Sequence, residues 1–120
     1  MDLFLKNTEQ DELVSWDFLI DDINNSQTYN PYCKSGNYYD VFKHIIISLI
    51  IGKEIILLDS DFTDSELVKL TGYSEYEKFT QLIDKGSFSL LSNKVELIEK
   101  LRNTCNYWKA TLFTSGTTGI

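Results

Sequence analysis

The feature that most constrains the fold is a helical pattern that runs directly into a strand pattern. Apolar residues recur at steps of three and four over Tyr38–Ile51, which predicts a helix, and Gly52 follows where helices commonly end. Residues 54–58 form a short apolar run that stops at Asp59, which is typical of a buried parallel strand. A helix followed by such a strand is half of an α/β repeat. The predicted apolar face of the helix comprises Tyr38, Phe42, Ile45, Ile46, Leu49 and Ile50.

Two short strands and a helix are predicted before this repeat. Residues 3–5 are apolar, residues 13–16 are apolar except for Ser15, and the two runs flank a polar stretch, which predicts two strands joined by a turn. Phe18, Leu19 and Ile23 then lie at helical spacing, so we expect a short helix that ends near Asn24 and Asn25. The following stretch, 26–37, is polar and holds the single proline, which predicts a surface loop.

After the repeat, the sequence predicts three more helices and two strands. Thr63 and Glu66 have the spacing of a capping box, which predicts a helix through Leu70 that ends at Thr71 and Gly72. Asn93 and Glu96 have the spacing of a second N-terminal cap, which predicts a helix that ends near Asn103. The apolar stripe of this helix is predicted to be Val95, Ile98 and Leu101. In between, a helix is predicted on Tyr76, Phe79, Leu82 and Ile83, and a short strand on Phe88, Leu90 and Leu91. Residues 107–113 form the last predicted strand.

These elements predict an α/β fold in which short N-terminal strands precede a sheet flanked by helices. With 120 residues, the chain has the length of one domain. Its net charge of -7 and its lack of a basic run argue against a nucleic-acid or anionic-membrane surface. The apolar run of 45–51 and 55–58 is interrupted at Gly52, so no membrane span is expected. The start lacks the features of a signal peptide, which predicts a cytoplasmic protein.

Few single residues suggest chemistry. Cys33 and Cys105 have no metal-ligand spacing, and we expect neither to be a nucleophile because neither has a partner histidine. His44 is interpreted as a residue of the helix surface. The acidic residues Asp59, Asp61 and Asp64 could suggest a magnesium site, but their place between a strand and a helix favours turn and capping roles. The aromatic set Tyr29, Tyr32, Tyr38 and Tyr39 is expected to pack a loop against the first helix.

The last seven residues carry the strongest functional signal. After the last predicted strand come six residues of glycine and hydroxyl side chains: Thr114, Ser115, Gly116, Thr117, Thr118 and Gly119. Glycines allow close backbone approach to a ligand, exposed amides donate to anionic oxygens, and hydroxyls add neutral donors. The stretch is neither a Walker A loop nor a GxGxxG loop. Its composition also fits an ordinary glycine- and threonine-rich hairpin or tail.

The order of these residues resembles a known motif. Residues 111–119 are similar to the signature loop of the adenylate-forming (AMP-binding) superfamily, which includes acyl-CoA synthetases, the adenylation domains of peptide synthetases, and luciferases. In that family an apolar strand is followed by T-S-G-T-T-G, a variable residue and Pro-Lys. The match here runs through the variable residue, Ile120, where the sequence ends. Upstream, Ser15, Trp16 and Leu19 are similar to an early segment of the family, although Phe18 occupies a position that is usually acidic. The helix, Gly52 and strand over 38–58 are similar to its next region.

The resemblance implies a function for a parent enzyme. In the family this loop closes over the β- and γ-phosphates of ATP while a carboxylate attacks the α-phosphate, which gives an acyl-adenylate and pyrophosphate. ATP, Mg²⁺, a carboxylic acid and the thiol of CoA or a carrier protein are the implied cofactors and partners. The six residues 114–119 are then phosphate-binding, and no catalytic residue is assigned. On this interpretation the chain is an N-terminal segment of an adenylation domain, truncated within the loop and inactive alone.

Two hypotheses follow from these patterns. The first is the segment of an acyl-CoA synthetase-like ligase, which predicts an exposed apolar surface and either a complementing C-terminal chain or self-association. The second is a non-enzymatic, stand-alone α/β interaction module whose tail only resembles the loop. The acyl substrate is not predicted by either.

Overall fold

The computed structural model describes residues 2–84, 90–104 and 108–113. Their elements follow in chain order. The strands are β1 (Leu3–Asn7), β2 (Glu12–Ser15), β3 (Thr28–Tyr29), β4 (Tyr32–Lys34), β5 (Ile55–Leu58), β6 (Gln81–Leu82) and β7 (Ala110–Phe113). The helices are α1 (Trp16–Asn25), α2 (Tyr38–Ile51), α3 (Asp64–Thr71) and α4 (Lys94–Thr104), with a 3₁₀ helix at Tyr76–Phe79.

The strands form three small sheets. Parallel strands in the order β4-β5-β7 form the sheet on which the predicted repeat lies. An antiparallel hairpin of β1 and β2 precedes α1, and β3 pairs with β6 in a third, antiparallel sheet. The predicted α/β class, the N-terminal strands and the parallel strand at 54–58 are therefore confirmed.

The helix ends follow the predicted local chemistry. Gly52 ends α2 with a φ of 68°, a left-handed conformation that glycine adopts without a steric penalty. At the start of α3, the hydroxyl of Thr63 accepts from the Glu66 amide and the Glu66 carboxylate accepts from the Thr63 amide, so the predicted capping box is present. The Glu96 amide donates to Asn93 Oδ1 at 3.0 Å, as the second predicted cap requires.

The main core lies where α1, α2 and α4 meet. Its fully buried side chains include Leu19 and Ile23 of α1 and Leu97 of α4. The apolar face predicted for α2 is partly wrong, because Tyr38 and Phe42 are exposed. The residues that α2 buries are Tyr39, Ile46, Ile47, Ser48 and Ile50. Since α2 is apolar on most of its circumference, periodicity alone does not select the buried face.

Four other expectations need correction. Residues 26–37 are not a loop throughout, since they contain β3 and β4 and bury Tyr29 and Cys33. These strands have two and three residues, which is too short for a periodic signal. In α4 the fully buried side chain is Leu97, whereas Val95 of the predicted stripe is 61% exposed.

The helix predicted on Tyr76, Phe79, Leu82 and Ile83 is also wrong. One 3₁₀ turn forms, and the chain then enters β6, because pairing with β3 takes Gln81 and Leu82 into a sheet. Leu90 and Leu91 are not in a strand. Phe88 lies outside the described residues. Within the part of the chain that is described, no helix has the length and apolar character needed to span a bilayer.

Candidate functional site

The candidate site is the carboxyl edge of the parallel sheet. Lys34, Leu58 and Phe113 are in register at the ends of β4, β5 and β7. Because the strands are parallel, the chain leaves all three at the same edge. In open α/β sheets, ligands bind outside the carboxyl ends of the strands. Thr114, the first residue of the glycine-threonine stretch, directly follows Phe113.

A second apolar cluster lies against the strand ends. Leu58, Phe62 and Leu67 are buried together, and Ile56 and Phe113 pack against them. This cluster joins α3 to the face of the sheet that carries the last residues of β5 and β7. The end of β7 is thereby anchored to the protein up to the residue that precedes the predicted phosphate loop.

The connection from β5 to α3 is held by backbone hydrogen bonds. The Asp59 amide donates to the Phe113 carbonyl oxygen at 3.2 Å, which extends the β5–β7 pairing by one residue. Asp59 Oδ1 accepts from the Asp61 amide at 2.9 Å, and the Phe62 amide donates to the Asp59 carbonyl oxygen at 3.1 Å. The turn is therefore fixed by its own side chain and backbone.

Lys34 extends across this edge from the end of β4. Its ammonium group donates to the Ser60 carbonyl oxygen at 3.0 Å, in the connection that follows β5. Gly36, in the connection after β4, lies close to Ser60, in the connection after β5: a Cβ atom added at Gly36 would be 3.7 Å from the Ser60 hydroxyl oxygen. The two connections therefore lie side by side. Lys34 was not predicted as a residue of this edge because β4 was not predicted. No motif in the sequence includes this lysine.

The described residues do not fit the Mg²⁺ ion that the resemblance implies. Over 2–84, 90–104 and 108–113, no group of three or more His, Cys, Asp or Glu side chains is placed to hold a metal ion. The carboxylate of Asp59 serves the turn described above.

The phosphate-binding residues predicted from sequence, Thr114, Ser115, Gly116, Thr117, Thr118 and Gly119, lie outside the described residues, as does Cys105. The structure fixes the point from which the predicted loop starts, at the end of β7. Two residues that the sequence did not indicate, Lys34 and Ser60, contact each other at the same edge of the sheet, after β4 and β5.

His44 lies in a separate cleft and not on a free helix surface. A cavity of about 290 Å³ opens between α2 and β3 and is lined by His44, Lys43 and Asn30 among others. His44 Nε2 hydrogen-bonds to the Asn30 carbonyl oxygen, and its ring packs against Tyr29 at 5.1 Å between centroids. Burial lowers the pKa of His44, and the neighbouring Lys43 ammonium lowers it further. A neutral imidazole that is already bonded to the backbone has a structural role.

The other single candidates also have structural roles. Cys33 lies on β4 and not in a loop, and burial raises the pKa of its thiol to about 11. The tyrosines do not pack a loop against α1 as predicted: Tyr39 lies in α2, and its hydroxyl donates to Asp22 Oδ2 of α1 at 2.7 Å. Tyr29 instead donates to the Glu54 carbonyl oxygen, and Tyr32 packs on Tyr76.

Comparison of the chain with models of protein families, with curated proteins and with solved structures found no match in any of the three.

Proposed function

We propose that this chain supplies the phosphate-binding loop of an ATP-dependent carboxylate ligase of the acyl-adenylate-forming kind. The residues assigned to phosphate contact are Thr114, Ser115, Gly116, Thr117, Thr118 and Gly119. ATP and a carboxylic acid are the proposed substrates, and the thiol of CoA or a carrier protein is the proposed acceptor.

One observation supports the proposal beyond the motif itself. The strand before the motif, β7, runs parallel to β5 and ends level with it at Phe113. The motif therefore starts at the carboxyl edge of a parallel sheet, where α/β proteins bind nucleotides.

The proposed role is electrostatic and positional. Backbone amides freed by Gly116 and Gly119, together with the hydroxyls between them, would donate to the oxygens of a polyphosphate. Such donors stabilise the charge on the leaving pyrophosphate as a carboxylate oxygen bonds to the α-phosphorus. None of these residues needs to gain or lose a proton.

The test is pyrophosphate binding by this chain and by variants of the loop. A Ser115→Ala, Thr117→Val, Thr118→Val triple variant removes the hydroxyl donors. Each hydrogen bond to a charged group contributes about 1.5 kcal/mol or more, so the dissociation constant should rise by at least about tenfold. The dissociation constant is measured from the line broadening of the phosphorus NMR signal of millimolar pyrophosphate.

The matched control is Thr111→Val, which removes a hydroxyl from the middle of β7 and should leave binding unchanged. Absence of pyrophosphate binding by the unmodified chain would contradict the proposal. Equal binding by the triple variant and the control would contradict it as well, because the phosphate would then bind elsewhere.

A further inference from the structure

We propose that the cleft between β4, α3 and the 3₁₀ helix binds a small organic ammonium ion. This cleft has a volume of about 340 Å³, and its lining includes Tyr32 of β4, Asp64 and Leu67 of α3, and Tyr76 and Glu77 of the 3₁₀ helix. β4 and β7 are the two outer strands of the sheet, so the cleft and the start of the glycine-threonine stretch lie on different sides of it. The proposal is therefore independent of the proposed function.

Two tyrosine rings form the aromatic wall of the cleft. The rings of Tyr32 and Tyr76 contact each other with 4.4 Å between their centroids, and Phe79 packs on Tyr32 at 5.3 Å. The Tyr76 hydroxyl is also fixed, by a hydrogen bond of 2.6 Å with Thr71 Oγ1. The two rings are therefore held in place by the fold itself. Because the face of an aromatic ring is negative, such a wall attracts cations.

The same aromatic cluster already contacts one ammonium group of the protein. Lys78 Nζ lies 5.0 Å from the ring centroid of Tyr73 and 5.4 Å from that of Phe79, which are distances of cation–π contacts. Phe79 packs in turn on Tyr32, so the rings of the cleft and the rings that hold Lys78 are continuous. Lys78 does not line the cleft, so its contact leaves the cleft open for an external ammonium group.

The charges of the cleft also favour a cation. Asp64 and Glu77 are exposed, and neither carboxylate belongs to an ion pair in the described part of the chain. The one lysine in the lining, Lys34, donates to the Ser60 carbonyl oxygen at 3.0 Å. Two carboxylates against one ammonium group leave the cleft with a net negative charge, which attracts a cation and disfavours an anion.

An alkylated ammonium fits this lining better than a metal ion does. In the described residues, no group of three or more His, Cys, Asp or Glu side chains is placed to hold a metal ion. The buried side chain of Leu67 lines the cleft beside the two tyrosine rings, so alkyl groups have an apolar surface to pack against. The charge of the ligand would then be balanced by Asp64 and Glu77.

The test titrates the whole chain with choline and with 3,3-dimethyl-1-butanol, which has nearly the same shape but no charge. Amide chemical shifts of ¹⁵N-labelled protein at low ionic strength measure both dissociation constants. We expect choline to shift the amides of Tyr32, Ser74 and Glu77, and the neutral alcohol to bind at least about fivefold more weakly.

Charge-removing variants locate the site. Glu77→Gln should weaken choline binding by about two- to threefold, and the Asp64→Asn, Glu77→Gln double variant by about three- to tenfold. The matched control is Glu75→Gln, which removes an exposed carboxylate two residues from Glu77 that does not line the cleft. It should change binding by less than about 1.5-fold.

Three results would overturn the proposal. The first is a lack of choline binding by the unmodified chain. The second is equal binding of choline and the neutral alcohol, because the cleft would then select apolar shape and not charge. The third is an equal effect of Glu75→Gln and Glu77→Gln, since the loss would then reflect the net charge of the protein. Amide spectra of each variant without ligand verify that the fold is retained.

Discussion

The carboxamide of Asn24 pairs with the backbone of Leu91 through two hydrogen bonds. Asn24 Nδ2 donates to the Leu91 carbonyl oxygen at 2.8 Å, and the Leu91 amide donates to Asn24 Oδ1 at 2.9 Å. Leu91 is buried in the main core, just before α4 begins. One asparagine at the end of α1 therefore satisfies both backbone groups of a buried residue far along the chain and fixes the approach to α4.

Replacement of Asn24 tests this pairing. Asn24→Ala leaves a buried amide and carbonyl without their partner, which should lower the free energy of unfolding by about 2–3 kcal/mol. The control is Asn25→Ala, an exposed neighbour at the end of the same helix, with an expected change within about 0.5 kcal/mol. Urea unfolding followed by circular dichroism measures both. Similar losses in the two variants would show that the pairing does not stabilise the fold.

Ser48 joins α2 to the segment that leads into β7. Its side chain is fully buried, and its hydroxyl accepts from Trp108 Nε1 at 2.8 Å while donating to the Ile45 carbonyl oxygen. Ser48→Ala removes the acceptor of the indole, so the free energy of unfolding should fall by about 1–3 kcal/mol despite the better helix propensity of alanine. Ser65→Ala, at an exposed position of α3, should change it little. A stabilised Ser48→Ala protein would be inconsistent with this contact.

The Cys33 thiol should be unreactive in the folded protein. Burial raises its pKa to about 11, so the thiolate that alkylating reagents attack is scarce at mildly alkaline pH. We expect iodoacetamide to modify Cys33 at least about tenfold more slowly in native protein than in urea. Mass spectrometry of the peptide that contains Cys33 measures the two rates. Equal rates would mean that β4 does not protect this side chain.

His44 should make stability depend on pH. Its pKa is lowered in the folded protein, mainly by burial, so the unfolded chain takes up a proton first as the pH falls below about 6.5. The free energy of unfolding should therefore decrease from that pH down to the lowered pKa. His44→Gln leaves no histidine in the chain and should reduce this decrease. Identical pH dependence in the two proteins, measured by urea unfolding, would exclude a buried neutral His44.

The sequence predicts those parts of the fold that local chemistry determines. The end of α2 at Gly52 and the capping box at Thr63 were predictable because each depends on residues within one turn of the chain. The parallel strand β5 was predictable from its apolar run. Short strands were not, because β3 and β6 exist only through their pairing with each other.

The candidate site, too, is only partly predictable from the sequence. Residues 114–119 are visible in the sequence because the motif is contiguous. Lys34 and Ser60 are 26 residues apart and meet only because β4 and β5 are neighbours in the sheet. Since β4 has three residues and no periodic pattern, its position beside β5 could not be predicted from the sequence.

The proposed function requires that a polyphosphate bind at the carboxyl edge of the β4-β5-β7 sheet. Its decisive test is to map amide chemical-shift changes in ¹⁵N-labelled protein on addition of pyrophosphate. We expect changes concentrated on residues 114–119, with smaller ones at Phe113, Asp59 and Lys34, and we expect ATP to produce the same changes and adenosine to produce none. No change at these amides, or changes confined to the cleft beside His44, would contradict binding at this edge.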